Sequence, residues 1–236
     1  MLEAGLEFAD DIHRLLEAFT TLPSKLRPIH FGHDENMRSA ANLVDDEGRF
    51  STFVSRSLSG FFLLAPGITY SVRRARGRST LCDCFFDVQP MLVKQFLIHM
   101  ARAEPIFGFA CALDEREHRN RVVSELGVGT TECWVGRDSQ KYVPGFYWLT
   151  LLPAALAERH GVPLSVVEEV AQEHIEIEDG QHYFSFYEGP EDWRSASGVA
   201  ELCRTLPGVF DVEKVKQELP SAKTFLELHV LLRKWK

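Results

Sequence analysis

The stretch 134–161, WVGRDSQKYVPGFYWLTLLPAALAERHG, constrains the fold most, because it joins the most apolar and aromatic part of the chain to its most acidic part. Gly136-Arg137-Asp138-Ser139 is turn chemistry, and Tyr142-Val143-Pro144-Gly145 reads as the approach to a helix that starts at Phe146. Three adjacent aromatics at a helix start, Phe146, Tyr147 and Trp148, point about 100° apart. At least one of them is therefore expected to leave the main core. Phe146, Leu149, Leu152 and Leu156 would form the core stripe of this helix, with Pro153 as a kink and Gly161 as its C-terminal cap.

The 236 residues are 45% hydrophobic and 25% charged, which fits one compact domain with a full core. No apolar run is long enough to span a bilayer, so no membrane partner is expected. The segment MLEAGLEFADDIHRLLEAF has no cationic start and carries acids within its apolar pattern, unlike a secretory leader. It reads as an amphipathic helix with Leu6, Ala9, Ile12, Leu15, Leu16 and Phe19 on one side. Cys82, Cys84, Cys111, Cys133 and Cys203 are odd in number and lack C-x-x-C spacing, so they read as small core residues of a cytoplasmic protein. Neither a metal nor another cofactor is expected.

Along the chain, Pro23 and Pro28 bracket an extended segment, a polar helix is expected from Asp34 or Glu35 to Val44, and Asp45 is expected to cap a helix over 47–57. Strands follow over 61–65, 68–73 and 79–87, with Pro66-Gly67 as a tight turn. Arg73, Arg74, Arg76 and Arg78 fall at the next hairpin tip, a solubilising edge in a chain this acidic. Pro90 opens an amphipathic helix to about Ala103, and the continuous apolar run 105–113 fits a central strand covered on both faces. Further strands are expected over 132–135, 174–177 and 182–187, with a short helix after Pro163 and helical pieces from Val199 onward. The order implies an α+β fold: a mainly antiparallel sheet with helices packed on one side, as ferredoxin-like two-layer halves. Residues 1–58 would be a helical and extended lead-in, 59–193 the α+β core and 194–236 a helical tail, all in one domain.

Two segments offer function. Asp114-Glu115-Arg116-Glu117-His118-Arg119-Asn120-Arg121 follows the central strand directly. Asp114, Glu115, Glu117 and His118 have the chemistry of acid, base or metal ligand, and a small metal-dependent hydrolase is one reading. The plainer reading is a charged helix with Glu115 to Arg119 and Glu117 to Arg121 at the favourable i, i+4 spacing. No nucleophile elbow, P-loop, dinucleotide fingerprint or zincin motif accompanies the cluster.

The second segment is 163–193, which contains nine carboxylates and no lysine or arginine. Such a run repels nucleic acid and attracts a cationic protein, speeding its association at low salt. Its acids alternate with aromatics, and buried Tyr and Trp are the usual anchors of an interface. Tyr187 and Trp193 are the anchor candidates, while Glu173, Glu176, Glu178, Glu191 and Asp192 would steer and pair. A homo-oligomer is compatible with the sequence.

Gly60-Phe61-Phe62-Leu63-Leu64, Trp134-Val135-Gly136-Arg137-Asp138, Pro144-Gly145-Phe146-Tyr147-Trp148-Leu149 and Glu188-Gly189-Pro190-Glu191-Asp192-Trp193 together resemble bacterial polymorphic-toxin immunity proteins of α+β fold, including the type VI secretion immunity group. The resemblance spans residues 60–193. It implies tight binding of a cognate, cationic toxin by a non-enzymatic protein, and carries over no individual contact residue. A scaffold or adaptor of a secretion system is the third reading.

Overall fold

A computed structural model of the chain describes residues 1–9, 12–34, 42–74, 79–126, 129–177 and 180–236. Strand β1 (Leu2–Phe8) is followed by α1 (Ile12–Thr21), β2 (His30–Gly32), α2 (Glu47–Arg56), β3 (Gly60–Ala65), β4 (Ile68–Arg74) and β5 (Thr80–Phe86). The middle of the chain forms α3 (Pro90–Met100), β6 (Phe107–Ala112), α4 (Leu113–Asn120), β7 (Arg121–Leu126) and β8 (Gly129–Trp134). Then come β9 (Leu149–Pro153), α5 (Ala154–Arg159), α6 (Leu164–Val170), β10 (Glu173–Ile177), β11 (Gln181–Ser185), α7 (Ser197–Thr205), α8 (Val212–Glu218) and α9 (Phe225–Arg233). The fold is α+β. Among the described residues nine strands form one sheet in the order β10-β11-β9-β6-β1-β5-β4-β3-β2, and β7 pairs with β8 apart from it. Every strand pair is antiparallel, and β6 against β9 joins the two halves into one continuous sheet.

The N-terminal segment, expected to be one amphipathic helix, is a strand before it is a helix. Leu2, Ala4, Leu6 and Phe8 are buried and alternate with Glu3, Gly5 and Glu7. That period of two belongs to a strand, and the helical period starts only at Ile12. The resulting strand is central, paired with β5 on one side and β6 on the other.

Phe146, Tyr147 and Trp148 do not open a helix. They lie in irregular backbone leading into β9, and all three are fully buried, so none leaves the core. The helix begins only after Pro153, which occupies the position before Ala154, and Gly161 (φ 65°) follows its end as expected. Smaller shifts occur elsewhere. Asp46 rather than Asp45 caps α2, its Oδ1 accepting from Arg49 N at 3.2 Å. The polar helix expected before it lies largely outside the described residues, and Leu43 bridges to His30 instead. Arg76 and Arg78 lie outside them as well. Pro90 stands at the start of α3, where its missing N–H is harmless, and Gly67 (φ 71°) makes the turn between β3 and β4.

Register sorts the side chains of the sheet. Leu6, Cys82, Cys84, Phe86 and Tyr70 share one face with the other apolar residues of β1. Helices α1 and α3 cover that face through Phe19 and Phe96, whose rings lie 4.9 and 5.6 Å from that of Tyr70. The Tyr70 hydroxyl donates to the Leu26 carbonyl at 2.6 Å, so its polar end is satisfied inside the core. The other face carries Glu3, Gly5, Glu7, Asp83, Phe107 and Phe109. Helix α4 lies over part of it, with the Arg116 guanidinium 4.2 Å from the centre of the Phe109 ring. Helix α6 reaches the same face at β10, where Glu168 meets His174 Nδ1 at 3.2 Å. Helices therefore occupy both faces, because the two halves carry their crossovers on opposite sides.

The C-terminal part divides between two cores. Val199 and Leu202 of α7 belong to the main core. Val215, Leu228 and Leu232 of α8 and α9 instead join Val122, Cys133, Val135, Tyr142 and Phe210 in a second one around the β7–β8 hairpin.

Candidate functional site

Helix α4 starts where the central strand β6 ends, so its side chains are delivered directly onto the face bearing Glu3 and Phe109. Three polar residues turn inward: Glu115, Arg116 and Asn120 are buried. Arg116 Nη1 donates to Asn120 Oδ1 at 2.7 Å and to the Tyr147 hydroxyl at 2.6 Å. That hydroxyl donates to Asn120 Oδ1 at 2.8 Å, and Asn120 Nδ2 donates to the Val135 carbonyl at 3.0 Å. Buried polar groups are costly unless paired, so the network explains how a Tyr in the 144–148 segment can be fully interior. Glu115 Oε1 accepts from Arg119 Nε at 2.8 Å, and the Tyr187 hydroxyl and the Trp148 backbone face the same buried carboxylate. Burial pushes the Glu115 carboxyl up, against the opposing attraction of Arg119.

The four acid, base or ligand candidates on α4 are separated by the helix. Glu115 points into the core. Asp114 pairs with Arg194, and Glu117 lies 3.3 Å from Arg121. His118 packs at a tilt of 39° against Trp193 with ring centres 5.0 Å apart, and it lines a cavity of about 330 Å3 between α4, α7 and α8. Burial, then the charges of Lys216 and Arg119, pushes the His118 imidazole down. Both i, i+4 ion pairs expected on this helix form. Among the described residues no three His, Cys, Asp or Glu side chains converge on a geometry able to hold a metal ion.

The acidic segment is dispersed in the same way. Glu173 and Glu176 are three residues apart on β10 and so face opposite sides of the sheet. Glu173 meets Lys94 of α3 at 3.5 Å on one side, while Glu176 stands opposite His182 on the other. Glu178 lies outside the described residues. Tyr187 is only 3% exposed, and its carbonyl accepts from Trp148 Nε1 at 3.0 Å, so it is a core residue and no anchor for a partner. Trp193 is half-buried between His118 and Arg194, whose guanidinium carbon lies 4.4 Å from the ring centre. Glu191 and Asp192 are exposed, and Asp192 Oδ2 accepts from Gly189 N at 2.9 Å.

What the fold does bring together is a subset drawn from both segments. Asp114, Glu117 and Glu191 line one shallow depression of about 470 Å3 with Met1, Leu113 and Arg194, and the exposed Asp192 follows Glu191 in the chain. Met1 is 77% exposed and Leu113 36%, so apolar surface lies open beside the carboxylates. The acidity of both segments is visible in the sequence, whereas their meeting depends on how 188–194 packs on α4. Reading from residues also misses Arg116, Asn120, Glu3 and Arg137. The available signal for the first two is their i, i+4 spacing on α4. For Glu3 it is the acid-glycine-acid alternation of β1.

Comparison with protein-family models, with curated proteins and with solved structures finds no match.

Proposed function

We propose that the protein is a binding protein of the immunity type, acting in the cytoplasm, which occludes a cationic toxin domain by docking on the depression lined by Asp114, Glu117 and Glu191, next to the exposed Asp192. The observation that carries this reading is the convergence of carboxylates from two remote segments around the exposed side chains of Met1 and Leu113. An acidic rim around an apolar centre steers a cationic partner and then buries it against a dry patch. Trp193, held between His118 and Arg194, flanks that surface and replaces Tyr187 as the aromatic anchor. Glu173 lies on the opposite sheet face against Lys94, and neither it nor Glu176 lines the depression.

The test begins with capture of partners from the source cell at low and then moderate salt. The expected result is one stoichiometric cationic protein that arrests growth when expressed alone and is silenced by co-expression of this chain. The triple variant E117K/E191K/D192K should slow association by about tenfold or more at low salt and flatten its salt dependence, with the unfolding midpoint unchanged. Equal association rates for the variant and the parent would sink the assignment of this surface.

A second reading rests on the His118 cavity, where an imidazole held down toward its neutral form faces Glu201 and Glu213 across about 330 Å3. In that reading the protein is a small hydrolase with His118 as base. Hydrolysis of a generic ester that survives E117K/E191K/D192K but is lost in His118→Gln would favour it.

A further inference from the structure

Beside α4, on the sheet face that carries Glu3 and Glu7, lies a narrow cleft that the proposed docking surface does not use. It is lined by Glu7, Asp83, Phe107, Phe109, Arg116 and Arg137, and has a volume of about 60 Å3. Its floor exists because residue 5 is glycine: a Cβ there would stand 2.3 Å from Phe109 Cε1, so the Phe109 ring packs against the bare backbone of β1. Arg116 stacks on that ring, 4.2 Å from its centre.

Arg116 is 96% buried by the exposure of 4% that remains to it, yet only Nη1 is engaged in hydrogen bonds, and both acceptors, Asn120 and Tyr147, are neutral. Its nearest carboxylate, Glu3, is 3.9 Å from Nε, beyond hydrogen-bond distance. No described residue accepts from Nε or Nη2, so the donor edge of a buried guanidinium is left to the cleft. Arg137 stands at the mouth with its side chain 39% exposed, and its nearest carboxylate, Asp83, is 4.0 Å away. Asp83 is already paired with Arg73. Two guanidiniums thus meet at one cleft, each with its carboxylate at the outer limit of an ion pair and with donors to spare for a ligand.

We propose that this cleft binds a carboxylate group, held by Arg116 at the floor and Arg137 at the mouth. A planar carboxylate matches the planar fork of a guanidinium and fits the small volume. A phosphate fits less well, since its second negative charge would face Glu7 and Asp83 in the wall. The aromatic walls of Phe107 and Phe109 suit the apolar carbon that carries the carboxylate. Burial pushes the carboxyls of Glu3 and Glu7 up, which lowers the repulsion an entering anion meets. The carboxylate has two sources, a free small acid or the C-terminal carboxylate of a peptide, and both are tested.

Carbon-13 acetate is titrated with the folded wild-type chain at fixed ionic strength, chloride being exchanged for acetate, and its line width is read. The thermal midpoint is followed in parallel. Saturable broadening and a saturable rise in midpoint are expected, with affinity about tenfold weaker in Arg137→Gln and unchanged in Arg102→Gln on the far surface. Arg137→Lys keeps the charge without the fork and should also bind more weakly. A short peptide ending in a free carboxylate, compared with its amide, separates the sources: tighter binding than acetate by the free acid alone assigns the site to a chain terminus, and equal or weaker binding assigns it to a small acid. The absence of saturable broadening on the wild-type chain overturns the proposal without reference to any variant. So does equal binding by Arg137→Gln, and preference for inorganic phosphate over acetate overturns the choice of carboxylate.

Discussion

Tyr147 is fully interior, yet its hydroxyl accepts from Arg116 and donates to Asn120, tying the irregular 144–148 segment to α4. Tyr147→Phe keeps the ring and leaves both buried partners short of a bond. It should destabilise the protein by about 1–3 kcal/mol, read as a lower urea midpoint with an unchanged slope. Glu7 behaves in the opposite sense. Burial raises its carboxyl pKa above the ordinary 4.5, opposed by the nearby Ser139 and Ser79 hydroxyls. Below about pH 4.5 the side chain is protonated in both folded and unfolded chains and has no effect on their balance. As pH rises through the elevated folded value, the folded state must hold a charge that the unfolded state holds more easily, and stability is lost. Glu7→Gln removes that loss. Its midpoint should match the parent near pH 4 and exceed it at pH 7, and an equal difference at both pH values would contradict the assignment.

At the scale of elements, what was legible and what was not follow from local signals. The hairpins β3 to β5 are announced by Pro66-Gly67 and by alternating side chains, α3 by Pro90 with a 3.6-residue apolar spacing, and β6 by an apolar run covered on both sides. Strand β1 is hidden because its apolar residues run on into those of α1, so a helical period can be fitted across both. Strand β9 is hidden by its composition, since Leu-Thr-Leu-Leu-Pro-Ala-Ala-Leu favours helix and only tertiary pairing with β6 and β11 makes its first part a strand. The candidate site is legible as residue types and illegible as geometry. Glu115 and Glu117 look equivalent in sequence, and the helix sends one into the core and leaves the other at the depression. Tyr187 and Trp193 look equally suited to an interface, and only Trp193 keeps part of its ring outside the core.

The whole molecule has two cores of unequal size, joined by the segment that follows β8. Gly136 N donates to the Trp235 carbonyl at 2.7 Å, and Val143 N and O pair with Gly208 O and Phe210 N. Gly136 has φ 72°, and a Cβ on it would come within 2.2 Å of the Phe210 ring, so the junction depends on a residue without a side chain. The smaller core holds a two-stranded hairpin and two helices, with less apolar contact to resist opening. Amides of β7 and β8 should therefore exchange with solvent at least about tenfold faster than those of β1, β5 and β6, through a partial opening that leaves the large sheet intact. Equal protection of both sets would mean that the cores open as one.

The central place of β1 also governs the order in which the chain can assemble. Leu2 pairs with Phe86 on one side and Ala112 on the other, so this strand waits for two segments made much later than itself. Until residue 112 has emerged, both hydrogen-bonding edges of Leu2–Phe8 cannot be filled by their native neighbours. Its insertion between β5 and β6 closes two long loops, so its pairing is expected to follow the local hairpins β3–β4 and β4–β5, whose strands are close neighbours in the chain.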